Sequence, residues 1–65
     1  MYHIGYYNKP WSKNNFVILA QTKNYLVACF IIESYNTAYE RNGISTRVIL
    51  LKDDQLPENY RFSEA

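Results

Sequence analysis

Tyr2, Ile4 and Tyr6 alternate with His3, Gly5 and Tyr7 at the start of the chain. A period of two marks a strand with one buried face, and the register containing Ile4 is the better core face. Asn8, Lys9, Pro10 and Ser12 then bring turn chemistry, because proline fixes its own φ, biases the residue before it toward extended geometry and donates no ladder hydrogen bond. A loop to about Asn15 is expected. Phe16, Val17, Ile18, Leu19 and Ala20 form an unbroken apolar run, as in a strand covered on both faces or paired centrally, ending near Gln21. The two strands are expected to form an antiparallel hairpin.

Residues 22 to 43 change period. Ala28, Ile31, Ile32, Tyr35, Ala38 and Tyr39 recur at spacings of three and four, with polar residues between them after Ile32. Thr22 or Asn24 can accept a backbone N–H as N-cap, and Gly43 after Asn42 suits the left-handed residue that closes a helix. A helix is the main expectation. Tyr25 to Ile32, however, is apolar without a break and rich in aromatic and β-branched residues, so a strand there, or a strand that becomes a helix after Ile32, stays open. Thr46, Arg47, Val48, Ile49, Leu50 and Leu51 then make a last strand, ended by Lys52, Asp53 and Asp54.

The order ββαβ predicts a small α+β domain. A right-handed crossover makes the third strand parallel to the second and sets it beside the first. The first strand is then central in a three-stranded, mainly antiparallel sheet, with one helix packed on one face. Residues 55 to 65 read as a packed or flexible tail, in which Pro57 disfavours a central strand and Leu56, Tyr60 and Phe62 could serve as anchors.

On a helical wheel, Leu26, Cys29 and Phe30 lie opposite Ala28, Ile32 and Tyr35. One sheet cannot cover both sides. Either the tail folds back over the outer residues or they form a surface for self-association or a partner, the usual meaning of an exposed apolar patch.

A chain of 65 residues, 48% apolar and 20% charged, fits one folded domain spanning residues 1 to 65. One cysteine allows no internal disulfide, and with His3 as the only histidine it cannot complete a four-ligand zinc site. No cofactor or metal is expected. No secretory signal is read at the start, and the longest apolar run is far short of the ~20 residues that span a bilayer, so a cytoplasmic setting without membrane contact is expected.

Net charge is +1, but no acid precedes Glu33, whereas acids outnumber bases from Lys52 onward. The two ends are expected to lie close and neutralise one another. Abundant asparagine, tyrosine and isoleucine point to A- and T-rich codons, as in a phage or mobile-element accessory protein.

Trp11 stands between Lys9 and Lys13, near Tyr7. Such a loop suits a protein interface, a ring folded over the sheet end, or stacking on single-stranded nucleic acid. Cys29 in its apolar run reads as an inert buried thiol, His3 is isolated, and Asp53 and Asp54 read as a solvated strand end. Gly5 and Gly43 make no phosphate-cradling loop, and no enzyme is expected. The pattern predicts a non-enzymatic binding or inhibitory module, homodimeric and directed at a host protein. Its contacts are Tyr7, Trp11 and Lys13 on the loop side and Leu26, Phe30, Glu33 and Arg41 on the outer helix. The alternative is a nucleic-acid binder using Tyr7, Lys9, Trp11, Lys13 and Lys23.

Overall fold

In a computed structural model, residues 1–8 and 15–63 are described. Strands β1 (Tyr2–Tyr7) and β2 (Phe16–Thr22) pair antiparallel, and Asn8 N–H donates to the Asn15 carbonyl at 2.9 Å where the hairpin closes. Helix α1 (Tyr25–Arg41) follows, then β3 (Ile49–Lys52), a 3-10 turn (Asp53–Gln55) and β4 (Tyr60–Phe62). The sheet order is β3-β1-β2-β4.

The expected central position of β1, antiparallel to both neighbours, is observed. The three-stranded sheet is corrected to four strands and a mixed sheet, because the tail pairs parallel with β2, Phe16 opposite Tyr60 and Ile18 opposite Phe62. Pro57 precedes this strand and so withholds no donor from its ladder. The third strand also starts later than its apolar run suggested. Both backbone groups of Val48 are engaged by the helix: Asn36 Nδ2 donates to its carbonyl at 3.2 Å, and its N–H donates to Asn36 Oδ1 at 2.9 Å.

Helix formation from Tyr25 onward settles the strand alternatives. Asn24 in extended geometry is the N-cap, its Oδ1 accepting the N–H of Leu26 at 2.9 Å and of Val27 at 3.2 Å. Thr22 supports the cap, its Oγ1 accepting the Asn24 N–H at 3.1 Å. At the other end Gly43 takes φ +72, and the N–H groups of Gly43 and Ile44 bond the carbonyls of Glu40 and Tyr39 at 3.1 and 2.8 Å. This 6→1 and 5→2 pair satisfies carbonyls that the helix end would otherwise leave open.

Ile4, Ala28 and Val48 form the buried centre between helix and sheet, with Tyr2, Leu19, Ala20, Ile31, Ile32, Tyr35, Tyr39 and Leu50 packed against it. The Ile4 register is therefore the core face, as the alternation predicts. Burial of such an aliphatic side chain contributes ~1.5 to 3 kcal/mol. Tyr39, below the helix, has its phenol pushed up by burial and then by Tyr6 and Tyr35.

The ladder between β1 and β2 is interrupted once. Ile4 pairs with Ala20 but Gly5 pairs with Ile18, leaving Leu19 as the extra residue of a β-bulge. A Cβ on Gly5 would stand 1.9 Å from the Val17 carbonyl oxygen, so only glycine admits this close approach. The bulge resets the alternation of β2, so that Leu19 and Ala20 both reach the core under α1 while Gln21 turns to the opposite side of the sheet.

Candidate functional site

The outer face of α1 is an uncovered apolar surface, one of the two alternatives that the helical wheel left open. Leu26 is 77% exposed and Phe30 71% exposed, and Cys29 is exposed between them. The reason is topological: the tail runs along the free edge of β2, away from the helix, so it does not cover these residues. Of the whole helix only Ala28 is buried. The expectation that Cys29 is a buried core thiol is therefore corrected, since its wheel position places it away from Ala28. The Tyr25 phenol nearby is shifted upward, mainly by a hydrogen bond with the Cys29 side chain.

One turn below Phe30 the same face carries a shallow cleft of about 360 Å³, lined by Phe30, Glu33, Ser34, Thr37, Ala38 and Arg41. The structure thus brings Phe30, Glu33 and Arg41 to one feature, with Leu26 continuing the face toward the helix N-terminus. Ser34 donates to the Phe30 carbonyl at 2.9 Å, leaving a floor of small side chains.

The loop-side candidates are separate. Tyr7 lies half-buried on the sheet face away from α1, its ring edge-on to Phe16 at 5.2 Å, and it borders a cleft of about 430 Å³ with Asn8, Ser45, Thr46, Arg47 and Ile49. Packing therefore occupies part of the Tyr7 ring. Lys9, Trp11 and Lys13 lie outside the described residues. Lys23 is exposed between β2 and α1, remote in sequence from that loop.

A polar cluster on the same sheet face was not anticipated. His3, only 5% exposed, approaches Asp53 Oδ1 through Nε2 at 2.6 Å and Gln21 Nε2 through Nδ1 at 2.7 Å. A carboxylate accepts and an amide nitrogen donates, so these partners define a ring that donates from Nε2 and accepts at Nδ1. The Met1 amino group donates to the other Asp53 oxygen at 3.1 Å. The start of the chain meets the acidic segment after β3 through the terminal amine, which contacts Asp53. Asp53 is accordingly no free strand-end acid, and His3 is not isolated: the bulge delivers Gln21, and the 3-10 turn delivers Asp53. The glycine inside the β1 pattern was the available signal for that bulge. Among the described residues no three His, Cys, Asp or Glu side chains gather in a metal-binding group, and no helix is long and apolar enough to cross a membrane.

The His3 hydrogen bond, then the terminal amine, hold the Asp53 carboxyl below the usual carboxylate range. A depressed folded-state pKa stabilises the fold above the unfolded value of about 3.9, and the contribution is lost as pH falls through the lower folded value. Asp53→Asn should therefore be less stable than the parent in urea near pH 6. The difference should shrink as pH drops below about 4. A gap that widens on acidification would contradict the assignment.

Comparison with known protein families, curated proteins and solved structures finds no match. The functional reading accordingly rests on geometry and chemistry.

Proposed function

We propose that this chain is a small non-enzymatic binding module that works by protein contact through the outer face of α1, occupying the surface of a larger protein as a simple inhibitor would. The observation that carries the reading is the exposure of Leu26 and Phe30, neighbours one turn apart on a helix whose opposite side alone meets the sheet. Exposed apolar patches rimmed by polar groups mark contact sites in small domains. Aromatic anchors dominate the binding energy of such contacts. Glu33 and Arg41 supply the polar rim and fix orientation more than affinity.

Leu26→Ser and Phe30→Ser test the proposal, because both side chains are exposed and their loss removes little packing. Circular dichroism and thermal unfolding should show the fold retained. Side-by-side affinity capture from cells expressing the chain should yield partners with the parent that both variants lose. Equal recovery by parent and variants would overturn the outer helix as working surface.

A further inference from the structure

The cleft that Tyr7 borders, on the sheet face away from α1, has a volume of about 430 Å³, within the ~300 to 1,000 Å³ of small-molecule sites. Part of its lining is the segment Ser45, Thr46 and Arg47, which belongs to no helix or strand but is held at both ends. The Ile44 N–H donates to the Tyr39 carbonyl at 2.8 Å, and Asn36 clasps both backbone groups of Val48. Asn8 joins the lining from the end of β1, where its N–H is fixed on the Asn15 carbonyl. Ile49, paired with Gly5, adds an apolar surface. Arg47 is exposed and, among the described residues, makes no ion pair, and no acid among them lines the cleft. Glu40 borders the same segment but lines a separate cleft of about 320 Å³. The hairpin connection, residues 9 to 14, adds two lysines and no acid to the sequence beside Asn8.

We propose that this cleft binds a nucleoside monophosphate unit, with the base against Tyr7 and Ile49 and the phosphate on Arg47. Each part of the lining answers to a part of that ligand. The Arg47 guanidinium carries only donors, in the planar fork that matches phosphate oxygens. The Ser45 and Thr46 hydroxyls donate or accept and so suit phosphate and ribose oxygens alike. Among the described residues the N–H groups of Ser45, Thr46 and Arg47 make no hydrogen bond, which leaves three further donors on the same segment. The Tyr7 ring is braced edge-on by Phe16 and offers the cleft an aromatic surface on which a base can stack. Asn8 has a side-chain amide with one donor group and one acceptor, the combination that meets N6 and N7 of adenine. Inorganic phosphate would leave Tyr7, Asn8 and Ile49 unused, and an uncharged ring would leave Arg47 unused. The same unit occurs in a free nucleotide and in a single strand. Because the cleft lies across the sheet from α1, it stands or falls separately from the outer helix face.

Titration of the isotope-labelled full chain with adenosine 5′-monophosphate, read by amide chemical shifts at low salt, tests the site. The amides of Asn8, Ser45, Thr46, Arg47 and Ile49 should shift together and saturate. Arg47→Gln changes an exposed residue, so circular dichroism should show the fold retained, while affinity for the monophosphate should fall by about tenfold or more. Adenosine, which lacks the phosphate, should bind parent and variant alike. Inorganic phosphate should bind the parent at least about tenfold more weakly than the monophosphate, and equal affinity would overturn the nucleotide as ligand. An octamer of deoxyadenylate separates the two sources. Binding about tenfold or more tighter than the monophosphate, weakened by salt and by Arg47→Gln, assigns the unit to a single strand. Affinity no better than that of the monophosphate assigns it to the free nucleotide. Absence of shifts at these amides up to about 10 mM monophosphate, or shifts that Arg47→Gln leaves unchanged, would overturn the site.

Discussion

Gly5→Ala is expected to leave most of the chain unfolded at room temperature. The new methyl group would meet the Val17 carbonyl oxygen at 1.9 Å, and this atom belongs to the backbone of the paired strand, so no rotamer change can relieve the contact. Either β1 and β2 separate locally or the bulge at Leu19 is lost. Losing the bulge would swing Gln21 toward the helix side and withdraw it from His3, and it would also shift the residues that reach Ala28. Severe backbone conflicts of this kind cost more than about 4 kcal/mol. A domain of this size has roughly 3 to 10 kcal/mol in total. Far-ultraviolet circular dichroism and amide chemical-shift dispersion would report the loss. The control is Gly43→Ala, where φ is +72 but nothing lies within 4 Å of the added carbon. Only the left-handed backbone cost of ~1 to 2 kcal/mol applies there, and the protein should stay folded. A Gly5→Ala variant with parental thermal stability would contradict the observed strand register.

The difference between these glycines also shows what the sequence could reveal. Gly43 was legible because helix ends are local: the stripe stops, Asn42 and Gly43 follow, and the capping hydrogen bonds involve neighbours within a few residues. The helix start at Asn24, the Ile4 core register and the central place of β1 were legible for similar reasons of period and chain order. Gly5 has a role that depends on a partner strand more than ten residues away: a glycine inside the β1 pattern signals a bulge or close approach, but not which residue comes near. β4 was hidden likewise. Three residues after a proline carry little strand signal, and their pairing is fixed by the edge that β2 offers once β1 has taken its other side.

The candidate surface follows from the same division. Its apolar members could be read from the helical wheel, but their exposure depended on where the tail goes, which only the assembled sheet determines. With β4 on the edge of β2, the chain has no further described segment over Leu26 and Phe30. Among the described residues the small core between α1 and the sheet and the Asn36–Val48 hydrogen bonds attach the helix, so these anchors carry a large share of stability and keep the outer face in place.

Asn36 is the polar anchor with the largest expected effect. It lies on α1 and holds both backbone groups of Val48, accepting the N–H at 2.9 Å and donating to the carbonyl at 3.2 Å. In effect its amide substitutes for the strand partner that Val48 lacks, just before β3 begins. Asn36→Ala would leave two partly buried backbone groups without their partner and free the 44–48 segment from the helix. An unsatisfied group of this kind costs ~1 to 3 kcal/mol, so a total loss near 2 to 4 kcal/mol is expected. At about 4 to 8 °C per kcal/mol for a small domain, Tm should fall by at least roughly 8 °C. Asn36→Asp separates the two bonds, because a carboxylate can accept from the Val48 N–H but sets a second acceptor against its carbonyl. It should therefore remain well below the parent at neutral pH and recover partly when acid protonates the side chain and restores a donor. If Asn36→Ala melts within 2 °C of the parent, the 44–48 segment is held by apolar packing of Val48 alone, and the amide has no such role.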